Sequence, residues 1–98
     1  MKTYELFLML APNFDESSAN RFLKDLESTL SKFDVKFDDI NLKGKQNIGY
    51  EIGAKKSAFQ IILKLTAKPE DISAIKERMK LVEDLLRFEI YNLQVVAS

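Results

Sequence analysis

Phe59, Ile61, Leu63 and Leu65 occupy every second position of a stretch whose intervening residues are Gln60, Ile62 and Lys64. A step of two sends alternate side chains to opposite faces of a β-strand, so this segment commits the chain to a sheet with one strongly apolar face. Such a face needs a second layer to cover it. From Asp15 onward the step changes to three and four: Ala19, Phe22, Leu23, Leu26, Leu30 and Phe33 make one stripe of a helix, with Asp15 and Glu16 at the end where the helix dipole favours negative charge. Pro69, Glu70 and Asp71 open a second helix whose stripe is Ile72, Ile75, Met79 and Val82.

Three further strands complete the pattern. Tyr4 to Leu10 is apolar and stops at Ala11-Pro12-Asn13. Val35 and Phe37, then Ile40, Leu42, Ile48, Tyr50 and Ile52, trace a long strand whose parity flips at Asp38-Asp39, which predicts a bulge or bend. Residues 53–57, Gly53 to Ser57, then read as a hairpin loop. Leu86, Phe88 and Ile90 alternate with Arg87, Glu89 and Tyr91 in a last strand ending near Leu93. The order βαββαβ predicts an α+β, ferredoxin-like fold, a four-stranded antiparallel sheet with two helices on one face. Residues 1–93 form the single domain expected of a 98-residue chain, and Gln94–Ser98 a short tail.

With helices on one face, the other face is open. Glu5, Phe7 and Met9, Gln60, Ile62 and Lys64, and Arg87, Glu89 and Tyr91 are expected there. Among them Phe7, Met9, Ile62 and Tyr91 make an apolar island, either ordinary cross-strand packing or a surface for a partner protein.

The chain has no His and no Cys. That excludes thiolate and imidazole metal sites, disulfides, and nucleophile pairs built on His. No Gly-rich run precedes either helix, so a phosphate loop is not expected. Asp34, Asp38 and Asp39 lack the spacing of an EF-hand and read as a solvated bend. The apolar run Leu6–Ala11 is too short for a signal-peptide core or a membrane span, and a cytoplasmic setting is expected. Formal charge is zero, but it is segregated: residues 1–42 carry five Lys/Arg against eight Asp/Glu, residues 43–68 six Lys against Glu51 alone, and residues 69–98 four against six. Lys43, Lys45, Lys55 and Lys56 thus flank a strand and hairpin that carry Tyr50. Lysines there can sit near phosphates and a tyrosine can stack on a base, or the charges can simply guard an edge strand.

At these residues the chain resembles a known family. Lys2, then Tyr4-Glu5 and the strand Leu6–Pro12; Gly44-Lys45-Gln46-Asn47-Ile48-Gly49-Tyr50-Glu51-Ile52; the hairpin lysines Lys55-Lys56 with Phe59; and Leu86-Arg87-Phe88 occur in the order found in bacterial small-subunit ribosomal protein number six, the S-six family, over about residues 2–93. The resemblance implies a structural ribosomal protein of the cytoplasm that binds the central domain of small-subunit ribosomal RNA together with ribosomal protein number eighteen. It implies no catalysis, cofactor, metal, membrane or small-molecule substrate. It matches Lys2, Tyr4, Lys45, Tyr50, Lys55, Lys56 and Arg87 to basic or aromatic positions, and with Lys43 from the basic stretch these are the expected RNA-facing residues. The chain departs from the pattern at Gln46 and Asn47, where the family usually has basic residues, at Gly49 in place of Ala, and at Ser57-Ala58 in place of a Gly-aromatic pair. An amide lacks the charged fork of a guanidinium, so RNA affinity is expected to lean on the partner protein. The tail, Val95-Val96-Ala97-Ser98, lacks the acidic character of some members, so added glutamates are not expected. Two other readings share the element order: a protein-interaction or regulatory module that forms a homodimer, and an acyl-phosphate hydrolase, for which the turn Ala11–Asp15 offers no Arg.

Overall fold

The computed structural model describes the backbone of residues 2–52 and 55–93 and the side chains of residues 2–47 and 57–93. Its elements run β1 (Lys2–Leu10), α1 (Glu16–Thr29), β2 (Lys36–Ile52), β3 (Lys55–Ala67), α2 (Ile72–Met79) and β4 (Leu85–Asn92), with single 3-10 turns at Ser31–Phe33 and Pro69–Asp71. The strands lie in the order β2-β3-β1-β4, and every neighbouring pair is antiparallel. This is the ferredoxin-like arrangement the apolar periodicities predict.

Register explains which face is buried. Leu6, Leu8 and Leu10 of β1 lie opposite Leu63, Ile61 and Phe59 of β3, and all six are buried beneath the helices. Helix α1 contributes Ala19, Phe22, Leu23 and Leu26, and α2 contributes Ile75 and Met79. Each large aliphatic side chain withdrawn from water in this way stabilises the fold by about 1.5–3 kcal/mol before entropy is counted. No polar or charged residue is buried among the described residues, so the core has no unpaired group to compensate.

The start of α1 is fixed by reciprocal hydrogen bonds. The Ser18 N–H donates to Asp15 Oδ1 at 2.8 Å, and the Asp15 N–H donates to Ser18 Oγ at 2.9 Å, so two orphan donors of the first turn are satisfied. Phe14, just before the cap, sets its ring edge-on to Phe22 at 5.9 Å. The Ser18 N–H and then the Ser18 hydroxyl hold the Asp15 carboxyl below its ordinary value. A group with a lowered folded-state pKa lends stability above its unfolded value and loses it as pH falls through the folded one. Asp15→Asn, which keeps a capping oxygen but cannot titrate, is therefore expected to flatten the loss of stability below about pH 4. Urea midpoints measured from pH 2 to pH 6 check it.

Both helices end earlier than their apolar stripes. Leu30 and Phe33 lie beyond α1, in its cap and in the 3-10 turn, yet Leu30 is fully buried and Phe33 packs against the core. Val82 lies past α2, in the turn to β4, and also packs on the core. The hairpin expected over residues 53–57 is shorter, because β2 reaches Ile52 and β3 begins at Lys55. The parity flip at Asp38-Asp39 is a bulge: pairing passes from Asp38–Lys64 to Asn41–Ile62, with Asp39 at φ +49°. A second irregularity follows at Gly44, whose φ of +79° lies in a region that strains residues with a Cβ.

Candidate RNA and partner interface

On the open face, three rows cross the sheet. Lys64, Glu5 and Tyr91 form one, Ile62, Phe7 and Glu89 the next, and Gln60, Met9 and Arg87 the third. The middle of this grid is apolar. Phe7 and Ile62 face each other across the β1–β3 ladder, Met9 follows Phe7 on the same side, and the Phe7 and Tyr91 rings meet edge-on at 5.7 Å. Phe7, Met9 and Ile62 are half-buried and Tyr91 is 48% exposed.

Charged side chains surround that centre and tie to one another. Arg87 Nη2 lies 3.0 Å from Glu89 Oε1, and the Tyr91 hydroxyl donates to the other Glu89 oxygen. The Tyr91 bond and then Arg87 hold the Glu89 carboxyl below its usual value, while the same bond raises Tyr91. Lys64 pairs with Asp39, 3.2 Å away, which the bulge brings over the face. The face thus has an apolar centre within a polar rim whose charges pair with one another.

The expected RNA-facing residues do not form one group. Lys45 pairs with Phe59 and so lies on the helix side of edge strand β2, exposed. Arg87 lies near this end of the sheet but on the open side, one ladder step from the Leu10–Phe59 pair. Beyond Phe59 β1 offers no partner, and β2 and β3 continue alone as a two-stranded arm through the pairs Gln46–Ala58, Asn47–Ser57 and Ile52–Lys55. Tyr50, Lys55 and Lys56 are on this arm, their side chains outside the described residues. Lys43 is exposed beside the Gly44 irregularity. Lys2 is exposed at the far end of β1, about 27 Å from Leu10 at the usual strand rise, and does not join the arm.

Tyr4 requires a correction. It lies on the helix side with Leu6 and Leu8, is 6% exposed and belongs to the core, so its ring is not available to RNA. Gln46 has a role its sequence did not announce: its Nε2 donates to the Lys43 carbonyl at 2.9 Å, spanning Gly44 and bracing the bend. The signal was the nearby glycine, which frees the backbone to turn there.

Sheet, open face and projecting arm together define a small α+β protein of the ferredoxin-like class. Comparison with known proteins narrows the class. The family model of ribosomal protein S6 matches residues 3–92, and the chain belongs to that family. It is 25% identical over 93 residues to small ribosomal subunit protein bS6 of Dehalococcoides mccartyi, covering 95% of this chain and 85% of the relative. Against protein bS6c of Phaeodactylum tricornutum it is 26% identical over 95 residues, 97% of each. The crystal structure of 30S ribosomal protein S6 from Thermotoga maritima superposes with a TM-score of 0.80 at 14% identity, covering 94% of this chain and 87% of that one, a likeness of fold. The protein is thus a small-subunit ribosomal protein and not an enzyme. Among the described residues no helix is long and apolar enough to cross a membrane.

Proposed function

We propose that this chain binds the central domain of small-subunit ribosomal RNA jointly with ribosomal protein number eighteen, the open face meeting the protein and the basic arm meeting the RNA. The reading rests on the separation of two surfaces: an apolar centre at Phe7, Met9, Ile62 and Tyr91 on one face, and lysines along an arm that leaves the sheet at its end. Arg87 stands near the boundary and serves the RNA side. Zero net charge accords with this division, since a basic partner would supply much of the counterion release that drives RNA affinity.

Phe7→Glu tests the protein half of the reading. Phe7 is half-buried on the open face and absent from the helix-side core, so the domain should still fold. A carboxylate at the centre of a desolvated contact is expected to weaken binding to the partner protein about 30-fold, the loss of a hot spot worth about 2 kcal/mol. Calorimetric titration of partner into the variant checks it. Unchanged affinity would remove the open face from the partner surface.

A further inference from the structure

The two edges of the sheet are built differently. Edge strand β2 is interrupted at Asp39 and Gly44, both at positive φ, and carries Lys36, Lys43 and Lys45. Bulges and lysines are the usual devices against edge-to-edge pairing. Edge strand β4 has neither device along Arg87–Asn92: its register with β1 is unbroken there and it holds no Lys or Pro. Helix α2 does not cover this edge, leaving an open groove of ≈ 480 Å³ lined by Lys76, Lys80, Phe88 and Ile90 among others.

The hydrogen-bond parity of β4 shows what that edge offers. The Leu93 N–H donates to the Thr3 carbonyl at 3.0 Å, continuing the ladder that pairs Glu5 with Tyr91, Phe7 with Glu89 and Met9 with Arg87. In an antiparallel ladder bonded and non-bonded pairs alternate. The backbone groups of residues 87, 89 and 91 therefore turn toward β1, and those of Phe88, Ile90 and Asn92 turn toward the free edge.

We propose that β4 pairs with β4 of a second copy of this chain, antiparallel and centred on Phe88. In this register the Phe88 N–H of each copy donates to the Phe88 carbonyl of the other. Arg87 of each then lies opposite Glu89 of its mate at the non-bonded positions, where side chains approach closest. The strand is self-complementary in charge as a two-fold contact requires. Two features keep the dimer weak. Leu86 is left unmatched between the Met9–Arg87 and Leu10–Leu85 pairs, which ends the regular ladder, and Lys76 of each copy adds positive charge beside the groove, where Lys80 is already paired with Glu77 at 3.2 Å.

Sedimentation velocity of the full chain, raised to about 1 mM, is expected to show a mass moving from one chain toward two. Arg87→Glu alone and Glu89→Arg alone should each stay monomeric, because each sets like charges opposite one another. Mixed in equal amounts they should dimerise, the carboxylates of one chain facing the guanidiniums of the other. Neither variant keeps the internal Arg87–Glu89 pair, so recovery in the mixture can come only from contact between chains. The doubly reversed variant, which keeps that internal pair in mirror form, should dimerise like the parent and serves if the single variants fold poorly. A parent chain that is monomeric throughout would overturn the proposal. So would a dimer that neither single substitution weakens, or one that the mixture fails to restore.

Discussion

Replacing Lys45, Lys55 and Lys56 together by alanine is expected to flatten the salt dependence of assembly on ribosomal RNA. If each lysine neutralises one phosphate, each contributes about 0.9 to the slope of log affinity against log salt, and the three together about 2.7. Over the fourfold change from about 50 to about 200 mM salt this amounts to a factor of roughly 40. The parent chain should lose about 40-fold more affinity across that range than the variant, with the partner protein held constant. The fold should not suffer, because Lys45 is exposed on an edge strand and Lys55 and Lys56 belong to an arm beyond the end of β1. Labelled central-domain RNA titrated at four salt concentrations gives the slope directly. An unchanged slope would take the arm off the RNA surface.

Leu63→Ala should cost about 3–5 kcal/mol, a large share of the roughly 5–15 kcal/mol that holds a domain of this kind together. Leu63 is 1% exposed, lies opposite Leu6, and sits in a layer closed by both helices. Little can collapse into the space it leaves, so the cavity adds to the lost transfer energy. At this chain length the melting temperature should fall by more than about 12 °C. Ile62→Ala, one residue away on the open face, should cost about 1 kcal/mol or less, since its side chain keeps contact with water. Urea unfolding of the two variants side by side reads the contrast. Equal losses would mean that the two faces of β3 have been assigned wrongly.

The alternation in β3 and β1 was enough to place Leu63 inside and Ile62 outside, because a period of two fixes a side chain's face once a single face is covered. The same arithmetic located the bulge at Asp38-Asp39. It did not locate the ends of elements. Leu30, Phe33 and Val82 continue the helical spacing of their stripes and remain against the core, but the backbone has already left the α-helix; apolar contact and helical hydrogen bonding stop at different residues. The hairpin is shorter than its composition suggests: Lys55, Lys56 and Ser57 are residue types common in loops, yet the backbone pairing of β3 with β2 runs on to Lys55, opposite Ile52. Tyr4 was ambiguous because a phenol suits both a core and a base-stacking surface, and only its register with Leu6 and Leu8 decides. The distance of Lys2 from the arm was invisible along the chain, where both are simply basic residues; strand length separates them.

The central place of β1 also bears on how the protein is made. Its ladder partners are residues 59–67 and 85–92, so both of its neighbours are synthesised long after it. At about 5–20 residues per second, roughly 2.5–10 s pass between the appearance of Leu10 and that of Phe59, its partner in β3. Throughout that interval Leu6 to Leu10, apolar on both sides, has no strand to pair with. The segment that becomes the interior of the sheet is therefore the one the nascent chain must shield longest, and a holding chaperone that favours short apolar runs should engage it before the second half of the protein has emerged.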